Sequence, residues 1–86
     1  MSESLKVEHI LPGRCYEAKK PEKHHSGFWN DRQVRWVNSD RTKVQYDGPT
    51  VANGRHFPTI EMDKFLKWVG RDVTALMPDG EWRPWL

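Results

Sequence analysis

Residues 33–46 read Gln33-Val34-Arg35-Trp36-Val37-Asn38-Ser39-Asp40-Arg41-Thr42-Lys43-Val44-Gln45-Tyr46. Two runs of β-branched and aromatic residues, which suit a pleated, half-buried surface, flank a polar stretch from Asn38 to Thr42. That pattern predicts a β-hairpin. Side chains alternate along a strand, so one register places Val34 opposite Tyr46 and Trp36 opposite Val44, all on one apolar face. Arg35, Lys43 and Gln45 then share the other face with Val37. This reading puts Trp36 in the core and Arg35 and Lys43 in solvent.

Working outward, Asp47-Gly48-Pro49 ends the second strand. Thr50-Val51 and His56-Phe57 flank Ala52-Asn53-Gly54-Arg55. Asn-Gly tolerates positive φ at both positions, so a second, tighter hairpin is expected there, with Pro58 confining its return strand to an edge or a strand end. The period then changes. Met62, Phe65, Leu66 and Val69 fall at i, i+3, i+4 and i+7, the apolar stripe of a short helix, and Gly70 is placed as its C-terminal cap. Trp68 lies off the stripe, where it can pack under the tail. Arg71 to Thr74 is a last short strand, and Pro78-Asp79-Gly80 a turn. Residues 77–86 form an aromatic tail that either packs back or waits for a partner.

Toward the N-terminus, Leu5-Lys6-Val7-Glu8-His9-Ile10 alternates for most of its length and suits a half-buried strand. Pro12-Gly13 breaks it, and Arg14 to Ala18 is a second short strand. Residues 19–27, Lys19-Lys20-Pro21-Glu22-Lys23-His24-His25-Ser26-Gly27, form a long basic loop with almost nothing to bury.

These elements fit one domain spanning residues 1–86, with its core in about 5–73. A chain of 86 residues is short for more. Hydrophobic residues are 36% of it, and five Trp, two Tyr and three Phe make up part of the shortfall, since each ring buries roughly 150–250 Å². One cysteine, Cys15, excludes an internal disulfide framework. No apolar run approaches the roughly 20 residues of a membrane helix. Met1 to Ile10 has neither the basic nor the apolar region of a secretory signal. A soluble cytoplasmic protein without membrane attachment is the expectation.

The run from Pro12-Gly13-Arg14-Cys15-Tyr16-Glu17, through Val34-Arg35-Trp36-Val37 and Val44-Gln45-Tyr46-Asp47, to Ile60 and Phe65-Leu66-Lys67-Trp68 resembles an SH3-like small barrel. The resemblance covers about residues 12–73 and is one of layout: an opening strand, a long first loop, a central hairpin and a late helical turn. It implies a mainly β fold of about five short strands with one short helix in the C-terminal half. SH3 grooves that read Pro-rich peptides carry an acidic loop. Here the loop holds Lys19, Lys20, Lys23, His24 and His25, which suits the nucleic-acid-binding or ribosomal members of that architecture. In size and style the chain also resembles the short accessory proteins of phages, prophages and other mobile elements.

Fourteen Lys and Arg face twelve Asp and Glu, a formal charge of +2. Residues 14–43 carry eight of the basic groups against four acids, a bias toward an anionic partner. Trp29, Arg32, Arg35, Arg41, Lys43, Arg55 and His56 are the candidate nucleic-acid contacts, rings for bases and cations for phosphates. Trp29, Trp82, Arg83 and Trp85 are the candidates for the alternative, a protein-interaction module such as an adaptor or inhibitor from a mobile element, or self-association.

Chemistry is expected nowhere. His9, His24, His25, His56 and Cys15 lack the spacing of a zinc site, so no metal and no cofactor are implied. Cys15 lies inside a strand, where a buried thiol is the ordinary role. Asp31, Asp40, Asp47, Asp63 and Asp72 are scattered over turns and helix ends, and no glycine-rich phosphate loop exists. A non-enzymatic binding module is the expectation.

Overall fold

The structure is a computed structural model, and it describes residues 5–51 and 57–85. Among the described residues five short strands form one antiparallel sheet: β1 (Cys15–Ala18), β2 (Arg32–Val37), β3 (Lys43–Asp47), β4 (Thr59–Glu61) and β5 (Val69–Asp72), in the order β4-β3-β2-β1-β5. A seven-residue helix, α1 (Met62–Trp68), joins the two edge strands. The fold is mainly β with one short helix, as the alternation of apolar residues predicted.

Because α1 joins the two edges with no intervening loop and spans only about 10 Å, the sheet must curl until its edges approach each other. The stripe of α1 delivers Met62 and Phe65 into a core with Ile10, Tyr16, Val34, Val44 and Val69. Phe65 is fully buried and meets Tyr16 edge-on, ring centroids 5.7 Å apart. Burying Tyr16 obliges its hydroxyl to find partners. The hydroxyl donates to the carbonyl of His9 at 2.6 Å and accepts from the Leu11 amide at 3.0 Å, which ties the N-terminal segment to β1. A second cluster of Cys15, Val73 and Met77, joined by Trp82, lies beyond β1.

The central hairpin forms, but its expected register holds only at one end. Val34 opposes Tyr46; Trp36 then opposes Gln45, and Val37 opposes Val44. A β-bulge at Arg35 inserts one extra residue and reverses the sense of everything after it. Val37 therefore packs against the core, and Trp36 leaves it, 47% exposed on the outer face. The expected burial of Trp36 is corrected by this single insertion.

Four further expectations are corrected or fall elsewhere. Leu5 to Ile10 contains a 3₁₀ turn, Val7–His9, in place of a strand. β5 occupies the other side of β1, and the segment's backbone is satisfied locally through Ile10 N–H to Val7 C=O at 3.1 Å and Lys6 N–H to His9 Nδ1 at 2.9 Å. Thr50 and Val51 are turn residues; β3 pairs directly with β4 instead. The Asn53-Gly54 turn lies outside the described residues. Pro58 stands just before edge strand β4, and its carbonyl accepts the Tyr46 amide at 3.1 Å.

Gly70 does not cap the helix. α1 ends at Trp68 with Val69 as its cap in extended conformation, and Gly70 lies inside β5. Its requirement is space: a Cβ there would stand 2.9 Å from the carbonyl oxygen of Ala18, where the β1–β5 register shifts. Gly48 is tighter, since a Cβ would meet the Asp31 carbonyl at 2.5 Å.

Candidate nucleic-acid interface

The outer face of β2, β3 and β4 presents Gln33, Arg35, Trp36, Lys43, Gln45, Thr59 and Glu61, in accordance with strand alternation and the bulge. Trp36 is the most exposed aromatic side chain among the described residues. Arg35 beside it donates to Gln33 Oε1 at 3.1 Å and lies over the Phe57 ring, 5.1 Å from its centroid. Stacking on Phe57 limits the guanidinium's freedom without neutralising it. Lys43 pairs with Glu61 at 2.9 Å, an exposed pair of small energetic weight. Arg41 sits exposed at the hairpin tip with φ 58°, in a turn held by Asn38, Asp40 and Thr42.

The structure divides the expected nucleic-acid set. It brings Arg35 and Lys43 to one face and leaves Arg41 at its end. Arg32 goes elsewhere. It precedes Val34 by two positions and shares its inward direction, so its guanidinium enters the rim of the core between Tyr46 and Trp68, 4.3 and 4.2 Å from the ring centroids. Trp68, expected under the tail, is instead one wall of this clamp and packs on Phe65 at 5.3 Å. Trp29 is half-buried and holds the tail through its backbone, its amide donating to the Arg83 carbonyl at 3.0 Å. Arg55 and His56 lie outside the described residues.

The tail packs back. The Trp85 amide donates to Gly27 C=O at 3.0 Å, its indole N–H donates to His24 C=O at 2.7 Å, and Lys23 lies 5.3 Å over its ring. Trp82 covers the Cys15–Val73–Met77 cluster. Arg83 forks onto the fully buried Asp31, Nε to Oδ2 at 2.6 Å and Nη2 to Oδ1 at 2.8 Å, and also reaches Glu17 at 2.8 Å. Glu17 takes a second cation, Arg71, at 2.9 Å. Hydrogen bonds from Arg71 and Arg83 hold the Glu17 carboxyl below the usual carboxylate range, against its partial burial. The bond to Asp31 raises the Arg83 pKa further. Trp82, Arg83 and Trp85 are therefore committed to contacts within the chain.

Burial pushes the Cys15 thiol up, away from the thiolate that nucleophilic chemistry needs. Among the described residues no group of three His, Cys, Asp or Glu is arranged to hold a metal ion, and no helix is long and apolar enough to cross a membrane.

Sequence reasoning missed Trp36 as a surface ring and missed the Tyr46–Arg32–Trp68 clamp. No signal in the sequence marks the bulge, because one inserted residue changes neither composition nor the apolar pattern on either side of it. Compared with protein-family models, with curated proteins and with solved structures, the chain matches none.

Proposed function

We propose that this protein is a non-catalytic binding module for nucleic acid, engaging a single-stranded segment on the outer face of β2 and β3. The observation that carries the reading is Trp36, 47% exposed in mid-strand beside the stacked Arg35. An exposed indole costs solvation and contributes nothing to the core, whereas it offers a platform for an unpaired base. Arg35 and Arg41 supply charge for the phosphates, and Gln33 and Gln45 supply donors and acceptors for base edges. The strand order, with a helix between the fourth and fifth strands, supports the SH3-like small-barrel resemblance and with it a binding role.

Titration of labelled single- and double-stranded oligonucleotides at two salt concentrations tests this. Micromolar, salt-sensitive binding that prefers the single strand is expected. Trp36→Ala should lower that affinity about tenfold, the effect of losing one stacked base, while changing stability by no more than about 0.5 kcal/mol, as for other surface sites. Absence of binding at low salt would reject the reading. The second reading, a protein-interaction module of the kind mobile elements carry, now rests on the same ring, because with the tail docked Trp36 is the most exposed Trp among the described residues. Binding of a protein that is indifferent to salt would favour it.

A further inference from the structure

Where α1 meets the loop after β1, a cavity of about 360 Å³ is lined by Lys19, Lys20, Glu22, Asn30, Lys67 and Trp68, with Ala18 at its floor. Its chemistry is one-sided. Three lysines face one glutamate. The Asn30 side-chain oxygen is occupied by the Glu22 amide at 3.0 Å, so the amide group left over is the donor end. The Trp68 indole N–H makes no hydrogen bond among the described residues.

Behind the Trp68 wall stands Arg32. Among the described residues its guanidinium forms no ion pair and no side-chain hydrogen bond; its neighbours are the two rings that clamp it. Burial lowers its pKa, which states the same cost in another form: the charge has lost part of its water and, among the described residues, gained no counter-charge. Arginine stays protonated regardless, so the clamped guanidinium holds a fixed positive charge against the Trp68 ring, where it adds to the field of the cavity without touching its occupant. The guanidinium of Arg83 has Asp31 and Glu17; that of Arg32 has only the two rings, one of which, Trp68, is a wall of the cavity.

We infer that this cavity is an anion site for a phosphate group, held by Lys19, Lys20 and Lys67 with donors from Asn30 and Trp68 and with Arg32 completing the charge from behind the indole. The inference stands on the cavity's own geometry and does not require strand binding at Trp36, which lies on the opposite face of β2.

The test is an NMR titration of the full chain with inorganic phosphate at constant ionic strength, following the Trp68 indole N–H and Arg32 Nε–H signals. Saturable shifts at both are expected, with chloride producing none. Arg32→Met retains an apolar chain between the rings and should weaken phosphate binding at least tenfold. Lys20→Ala combined with Lys67→Ala, both exposed positions that leave the core intact, should do the same. A dinucleotide phosphodiester provides the second arm: binding comparable with inorganic phosphate assigns the site to a nucleic-acid backbone, and binding of inorganic phosphate alone assigns it to a free phosphate. Unchanged affinity in the lysine double variant, or equal shifts with chloride, would overturn the inference. Trp36→Ala should leave phosphate binding unchanged, so this site and the outer face fail or succeed separately.

Discussion

Arg83→Met should lower the unfolding free energy by about 3–5 kcal/mol, the cost of leaving a buried charge without its partner. Asp31 has no exposed surface and its two carboxylate oxygens both face Arg83. Removal of the guanidinium strands that charge and releases Glu17 from one of its two cations. For a chain of 86 residues, total stability is expected at roughly 4–13 kcal/mol, so the variant approaches the unfolding threshold. Urea unfolding measures the loss. Asp31→Asn in the Arg83→Met background should recover part of it, since the stranded charge is then gone. A variant as stable as wild type would mean that the tail is not latched by this pair.

The same network sets a pH dependence. Glu17 is held below its ordinary pKa chiefly by Arg71 and Arg83; Asp72 is pushed up by burial but carried below its ordinary value by bonds from Arg14 and Thr74. A carboxylate whose folded pKa is depressed contributes stability that is complete above its unfolded pKa and is lost as pH falls through the folded one. Stability should therefore be flat at neutral pH and fall below about pH 4. Arg83→Met should show a shallower acid loss, because Glu17 then has one cation fewer to lose.

Much of the fold is legible in the chain because it is written in periodicity. The alternation of Val44, Gln45 and Tyr46 specifies β3, and the stripe of Met62 and Phe65 specifies α1; both depend on near neighbours alone. What is illegible depends on one residue or on distant ones. The bulge at Arg35 alters no composition, yet it exchanges Trp36 for Val37 in the core, and the usual preference of a large ring for burial argues for the wrong face. Asp31 and Arg83 are 52 residues apart, so nothing local pairs them. Gly70 follows a helix, which suggests a cap, whereas its role is the close approach of Ala18 across a sheet not foreseeable in detail. The candidate site inherits these limits: Arg35 and Lys43 were readable from alternation, but the ring beside them was not. Arg32 was identified as a cation, and only the packing of β3 against α1 gives it two rings in place of solvent.

That packing converges on Phe65, and Phe65→Ala is expected to cost about 3–5 kcal/mol, the range for deleting a fully buried aromatic ring. Phe65 has no exposed surface. It meets Tyr16 edge-on, Tyr46 at 6.4 Å and Trp68 at 5.3 Å between centroids. Tyr46 and Trp68 are the two walls of the Arg32 clamp, and Phe65 touches both from the core side. Its loss opens a cavity directly beneath them, so the variant should lose rigidity at the clamp as well as stability. Phe65→Leu keeps most of the volume and should cost much less. If the anion site depends on a pre-held Arg32, Phe65→Leu should weaken phosphate binding more than its stability cost alone would suggest, read as a reduced saturable shift at the Trp68 indole in protein that is still fully folded. Thermal unfolding of both variants, with the phosphate titration repeated on Phe65→Leu, separates the two roles. An unchanged melting temperature for Phe65→Ala would place the ring outside the core, and the packing of α1 against the sheet would have to be redrawn.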